Sequence, residues 1–209
     1  MKPLTAKALR TADRFMTSSK TKVRVPRVLA EYTLSPEQLR DIRSKVKLKL
    51  MPQKGLGLVA RAALPADTRV GIYGGKVFSA KDHGQLVKRG DTTGKYSVDF
   101  FTSPGQGGDK GRDDLIMEPG VGNGMQRRHA NVLAAFINEP GVGQKPNVVW
   151  VRNYETNTME LWTTRPVAKG EELTACYGNS YARDYTTPCT AKPGAMHYIK
   201  KGWRKPRLL

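Results

Sequence analysis

The 209-residue chain carries 36 Lys/Arg against 18 Asp/Glu, a net charge of +18, with 38% hydrophobic residues and two cysteines. That length suits one domain with appendages or two small domains, and it is enough to bury a core without covalent staples. Cys176 and Cys189 are too few for a disulfide scaffold or a four-cysteine zinc site, so a reducing, intracellular setting is the expectation; no apolar run reaches the roughly 18 residues of a membrane span, and the first residues lack the apolar core of a secretory signal.

In chain order, residues 1–34 contain few large apolar residues and no clear period, and they read as a basic, flexible arm. "SPEQLRDIRSK" (35–45) is a helix start. Ser35 can cap, Pro36 suits the first turn, and Gln38 completes the capping-box spacing. Leu39, Ile42 and Val46 fall on one face. "VKLKL" (46–50) then alternates as a half-buried strand does. From residue 55 short strands are split by turn residues: "LGLVARAAL", "RVGIY" before Gly74-Gly75, and "KYSVDFF" before the loop "TSPGQGGDKGR". "RHANVLAAFIN" predicts a helix of about three turns. "NVVWVRN" and "TMELWTT" flank "YETN" and predict a hairpin. The pattern predicts a mostly-β (α+β) fold of small sheets. Domain boundaries follow at 35–181, with a basic tail at 182–209.

The charge is unevenly placed. Residues 1–50 hold 13 basic and 4 acidic side chains, residues 51–181 hold 16 and 13, and residues 182–209 hold 7 and 1. The ends are polybasic and the middle is nearly balanced. Such ends suit contact with nucleic acid, chromatin or another polyanion. Solvated tails that only aid solubility are the plain alternative.

Three stretches carry candidate chemistry. In "KGLGLVA" (54–60), glycines on either side of Leu56 let a ligand approach the backbone, although a plain turn before a strand reads the same way. In "AAFINEPGVGQKPNV" (134–148), Asn138 ends an apolar run; a buried Asn bonds backbone or ligand, and an Asn in a turn is equally common. In "GEELTACYG" (170–178), a short strand ends at Tyr177, which alone is a half-buried packing residue. His83, His129 and His197 are scattered, and no spacing with the cysteines reads as a metal site.

Taken in order, these stretches resemble the SET-domain family of protein lysine methyltransferases. That family carries a GxG, a tyrosine-bearing strand, "RFINHSCxPN" and "GEELTxDYG". Here those are Gly55-Leu56-Gly57, "GKYSVDF" with Tyr96, "AAFINEP…KPNV", and "GEELTACYG". The resemblance covers about residues 45–181. It implies several small β-sheets with a C-terminal pseudoknot that brings "FIN" and "GEELT" together. It implies methyl transfer from S-adenosylmethionine to a lysine of a protein, with Tyr177 as the catalytic residue. Gly55, Leu56, Gly57, Tyr96, Asn138 and Glu139 are the implied cofactor contacts.

Departures from the pattern are specific. Glu139 replaces the family His, Pro140 the Ser, Ala135 the Arg and Cys176 the Asp. Cys176 reads as a small residue packed beside Tyr177. The cysteine-rich zinc segment of some members is absent, so another C-terminal element must close the lysine channel. "MHYIKKGW" (196–203), with Tyr198 and Trp203, is one candidate; an aromatic pair that only packs the tail on the domain is the plain alternative. A substrate peptide is expected to add as a strand beside "GIYGG" or "NVVWV". The expected substrate is a histone or another nucleic-acid-associated protein, with the basic ends on the polyanion and a nuclear or chromatin location. Two other readings stand: a catalytically silent SET-like module on chromatin, and a basic RNA-binding protein. Against the latter, the aromatics do not interleave with Lys/Arg as stacking platforms do.

Overall fold

The structure, a computed structural model, describes residues 26–92, 94, 96–100, 115–119, 133–153, 158–177, 184–190 and 197–199. The arm before residue 26, the "TSPGQGGDKGR" loop, Gly178 and Trp203 lie outside the described residues. In chain order the elements begin with β1 (Ala30–Tyr32), α1 (Pro36–Lys45), β2 (Val46–Met51), β3 (Gly55–Ala60) and β4 (Arg69–Tyr73). They continue with β5 (Gly75–Ser79), α2 (Ala80–Lys88), β6 (Val98–Phe100) and β7 (Leu115–Glu118). A 3-10 turn at Leu133–Phe136 leads to β8 (Val148–Asn153) and β9 (Thr158–Thr163), and the last described strand is β10 (His197–Ile199).

Two compact units divide the chain. The first comprises Met1–Thr33 and Gly74–His129. Its antiparallel sheet has the order β1-β5-β7-β6. Val77 faces Met117 in register, and both are fully buried. β1 was not legible as a strand in the basic arm; its three residues are ordered by pairing with β5. α2 follows β5 directly, capped by the Ser79 hydroxyl, which accepts the Asp82 N–H. One polar knot is buried here: Ser97 Oγ and Glu118 Oε2 both reach Nε2 of His83, at 2.9 and 3.1 Å. A Ser–His–acid relay needs its acid and its hydroxyl on opposite ring nitrogens. This trio therefore ties α2 to β7 and is not a nucleophile.

The second unit comprises Leu34–Tyr73 and Ala130–Leu209. α1 forms as its local sequence demands: Ser35 Oγ accepts the Gln38 N–H at 3.2 Å, and Gln38 Oε1 accepts the Ser35 N–H at 2.8 Å. Such a reciprocal cap stabilises a helix by about 1 kcal/mol. Ile42 and Val46 are buried from this end. β2 and β3 form a two-stranded hairpin, and a four-stranded sheet has the order β10-β8-β9-β4. β8 and β9 pair antiparallel, as the flanks of "YETN" predicted. Val70, Ile72, Val151, Met159 and Leu161 make a core across β4, β8 and β9, each 2% exposed or less. Among the described residues, no helix is long and apolar enough to cross a membrane.

One element differs from expectation. The described part of "RHANVLAAFIN" is a single 3-10 turn, not a three-turn helix. Leu133, Ala134 and Ala135 are all buried, so no polar face supports an amphipathic helix. The chain must also extend by Asn138, which bridges to Thr174.

Candidate active site

Residues 171–177 organise the site. They are extended but form isolated bridges rather than the strand expected from "GEELTACYG". The reason is that the segment pairs to both sides, a residue or two at a time. Toward β3, Ala60 N–H donates to Glu171 O at 3.0 Å and Leu173 N–H donates to Leu58 O at 2.8 Å. Toward 138–148, Asn147 and Val148 N–H groups both donate to Thr174 O, and Ala175 N–H donates to Asn138 O at 3.0 Å. Leu173 and Ala175 are fully buried. "FIN" and "GEELT" are thus brought side by side, between β3 and the stretch leading into β8.

Asn147, the "PN" asparagine, knits this segment. Its Oδ1 accepts the Thr174 N–H at 2.8 Å, and its Nδ2 donates to Glu172 O at 2.8 Å and to Glu171 Oε1 at 3.1 Å. Burial pushes the Glu171 carboxyl up, but hydrogen bonds from Arg165, the Ala168 N–H and Asn147 outweigh it and hold the group below its ordinary value.

The glycines beside Leu56 do two different jobs. Gly55 has φ +77, a conformation that side chains rarely adopt, and its outer face meets nothing within 4 Å. That face of Gly55 is open. Gly57 is buried because its neighbours close on it: an added Cβ would lie 2.6 Å from Asn138 Nδ2, 2.7 Å from Met51 Cγ and 3.0 Å from Glu172 Oε1. Asn138 Nδ2 donates to Glu172 Oε1 at 3.0 Å and reaches Leu56 O at 3.4 Å. Lys54 Nζ donates to Glu139 O at 3.0 Å and to Glu172 Oε2 at 3.1 Å. The Gly55–Gly57 strand, an amide and the Lys54–Glu172 ion pair therefore meet at one place. Such a set fits a ligand carrying both charges, as a sulfonium amino acid does.

Tyr177 ends the segment and is half-buried. Its hydroxyl donates to Ile137 O at 2.6 Å and its N–H to Glu139 Oε1 at 2.7 Å. Glu139 is buried, 4% exposed, and its Oε2 accepts the Tyr185 hydroxyl at 3.0 Å. Cys176 is not simply a small packing residue: it forms a disulfide with Cys189, 13 residues on. A pairing across that spacing leaves no periodic trace in sequence. One oxygen of Glu139 and the two sulfurs lie within 4.8 Å of one another. The sulfurs are bonded to each other, so they offer no thiolate to a metal.

Thus Gly55, Leu56, Gly57, Asn138, Glu139 and Tyr177 are linked by contacts running from β3 through 137–139 to the end of 171–177. Tyr96 lies in the first unit, half-buried on a turn before β6. Lys54, Asn147, Glu172 and Tyr185 were not singled out from the sequence. Asn147 lay in the matched "PN" pair and Glu172 in "GEELT", so both carried a motif signal but no assigned role; Lys54 and Tyr185 carried none. The outer edge of β8, the "NVVWV" strand, is paired with β10 in parallel and is not open to a peptide.

The SET domain family matches residues 55–178 of the chain. Among solved structures, the ATXR5 SET domain, in complex with histone H3 di-methylated on an arginine, is similar at 19% identity with a TM-score of 0.48, over 76% of this chain and 73% of that one. CpSET8 from Cryptosporidium is similar at 15% identity with a TM-score of 0.46, over 66% of this chain and 59% of that one. This chain therefore spans less than two thirds of the CpSET8 chain. No curated protein matches.

Proposed function

The chain belongs to the SET-domain family, and from that premise we propose that it transfers methyl groups from S-adenosylmethionine to a lysine side chain of a protein. The observation that carries the proposal is the chain of contacts joining the Gly55–Gly57 strand, Asn138 and Tyr177. Bound S-adenosylmethionine supplies an electrophilic methyl on a sulfonium, which a neutral amine attacks. Gly55, Leu56, Gly57 and Asn138 would hold it, with Lys54 and Glu172 matched to its carboxylate and ammonium.

The protein's own residues have two tasks. One is to orient the amine, since alignment of the reacting atoms is worth several kcal/mol of barrier. The other is to favour positive charge where it collects. Tyr177 suits both. Its proton is committed to Ile137 O, so its oxygen meets any further partner as an acceptor. An acceptor beside the reacting amine aims an N–H and stabilises the methylammonium product. An ordinary lysine amine titrates near 10.4, so it must also be desolvated to become neutral at pH 7. The phenol need not take that proton.

The proposed substrate is a histone or another nucleic-acid-associated protein, since +18 of net charge suits docking on a polyanion. The proposed location is intracellular, at chromatin, where thiol reductants would bear on the Cys176–Cys189 bond. The test is methyl transfer from labelled S-adenosylmethionine to mixed core histones and to whole-cell extract, comparing wild type with Tyr177→Phe. Label that falls ten- to hundredfold in the variant supports the reading. Cofactor binding without label marks a silent module or a different substrate. Absence of both returns the protein to the basic-binder class.

A further inference from the structure

We propose that Glu139 is the positioning residue for Tyr177, and that Tyr185 braces Glu139 from the C-terminal segment. This rests on the reading of Tyr177 given above. Family resemblance places residue 139 among the cofactor contacts. In this chain its carboxylate takes two tyrosine donors. Oε1 accepts the Tyr177 N–H at 2.7 Å and Oε2 accepts the Tyr185 hydroxyl at 3.0 Å. The backbone O of the same residue takes the Lys54 ammonium at the cofactor cradle. One residue thus meets the cradle with its main chain and the tyrosine with its side chain.

The geometry constrains Tyr177 at two points. Its N–H is held by Glu139, and its hydroxyl by Ile137 O. A phenol has few torsions, so fixing the main chain and the hydroxyl fixes the ring. Both Glu139 bonds are made by a buried side chain, where a partner left unmade is not readily replaced by water. A buried carboxylate is tolerated only when hydrogen-bonded, and Tyr185 supplies a second donor. The segment that carries Tyr185 is itself anchored. Cys189 is bonded to Cys176, next to Tyr177, and Thr187 Oγ1 donates to Pro140 O at 3.3 Å. Residues 139–140, 176–177 and 185–189 therefore form one braced cluster behind the tyrosine.

Removing the brace lets Tyr177 move, and a misplacement of about 1 Å costs on the order of a hundredfold in rate. The side chain that does this need only accept one N–H and meet one hydroxyl, which glutamine also does. Three variants are compared with wild type: Glu139→Ala, Glu139→Gln and Tyr185→Phe. Methyl transfer is followed on mixed core histones, S-adenosylhomocysteine binding by calorimetry, and amide hydrogen exchange at Tyr177 without any cofactor. The expected result is a roughly hundredfold fall in kcat and at least tenfold faster Tyr177 exchange for Glu139→Ala. Glu139→Gln should stay within about threefold of wild type in both. S-adenosylhomocysteine should bind all variants within about threefold. Tyr185→Phe removes one hydroxyl from a side chain that is 46% exposed, and should lower kcat and quicken exchange about three- to tenfold.

Unchanged Tyr177 exchange in Glu139→Ala overturns the proposal. So does Glu139→Gln as slow as Glu139→Ala, which would assign the role to charge. Loss of S-adenosylhomocysteine affinity in proportion to kcat would make Glu139 a cofactor ligand instead. If Glu139→Ala fails to fold, a Tyr185→Phe indistinguishable from wild type overturns it. Were wild type to methylate nothing, the methyltransferase reading would fail, while the exchange comparison would still decide whether Glu139 holds Tyr177.

Discussion

Replacing Asn147 with alanine removes three hydrogen bonds at once, and the loss can be sized from the structure. The Thr174 N–H loses its 2.8 Å acceptor, and Glu172 O loses a 2.8 Å donor. Thr174 is buried, so water does not readily replace the lost partner. Each stranded buried group costs about 1–3 kcal/mol. The third bond, to the half-buried Glu171, adds less. The sum is about 4 kcal/mol, which for a chain of this size lowers Tm by roughly 8–16 °C. Urea unfolding at neutral pH measures it directly. Asn147→Asp separates the two halves of the clamp. Its carboxylate still accepts the Thr174 N–H but faces Glu171 Oε1, which stands 3.1 Å from the native amide nitrogen. That variant should be poor at pH 7 and recover on acidification, as the new carboxyl takes a proton and becomes a donor. A loss below about 1 kcal/mol for Asn147→Ala would refute the idea that side-chain bonds, rather than the flanking backbone pairs, hold residues 171–177.

Gly57→Ala brings a methyl to 2.6 Å from Asn138 Nδ2, so Asn138 must give way; the cofactor should bind at least tenfold more weakly by calorimetry, with only a small change in Tm because the nearest atoms belong to side chains. Glu171 gives a pH signature. Its folded value is depressed, so its contribution is complete above the ordinary carboxylate range and is lost as pH falls through the folded value. Unfolding free energies between pH 6 and pH 3 should therefore fall less steeply for Glu171→Gln than for wild type, and parallel curves would contradict the assignment.

What could be read from the sequence was what is decided locally. α1 was legible because its cap is built from residues three apart, and the β8–β9 hairpin because alternation flanks a four-residue turn. α2 was missed: Gly84 sits mid-helix and the stretch is polar, although Ser79 followed by Asp82 was a usable cap signal. Of the site, Gly55, Gly57, Asn138 and Tyr177 were found as motif positions. Asn147 and Glu172 lay inside matched motifs without an assigned role, and Lys54 only preceded one, because their roles depend on pairs such as Lys54–Glu172, separated by 118 residues. No period or spacing encodes such a contact; it arises only when the chain folds 171–177 between two other segments.

The departures at 139 and 176 make sense together. Read singly, a glutamate in place of histidine and a cysteine in place of aspartate look like two independent losses at a catalytic site. In the fold they share one cluster: Glu139 lies against the Cys176–Cys189 bond and takes Tyr185 from the same stretch as Cys189. A carboxylate buried at this point needs donors, and one comes from residues 184–190. Those residues need an anchor, and Cys176 supplies it one residue before Tyr177. Each change thus supplies what the other requires, and both act on the position of the same tyrosine. Cys189→Ser should then imitate Tyr185→Phe, loosening Tyr177 without weakening cofactor binding, and a thiol reductant should do the same to the wild type. If neither treatment touches Tyr177 amide exchange, the segment is an appendage and the two departures are unrelated after all.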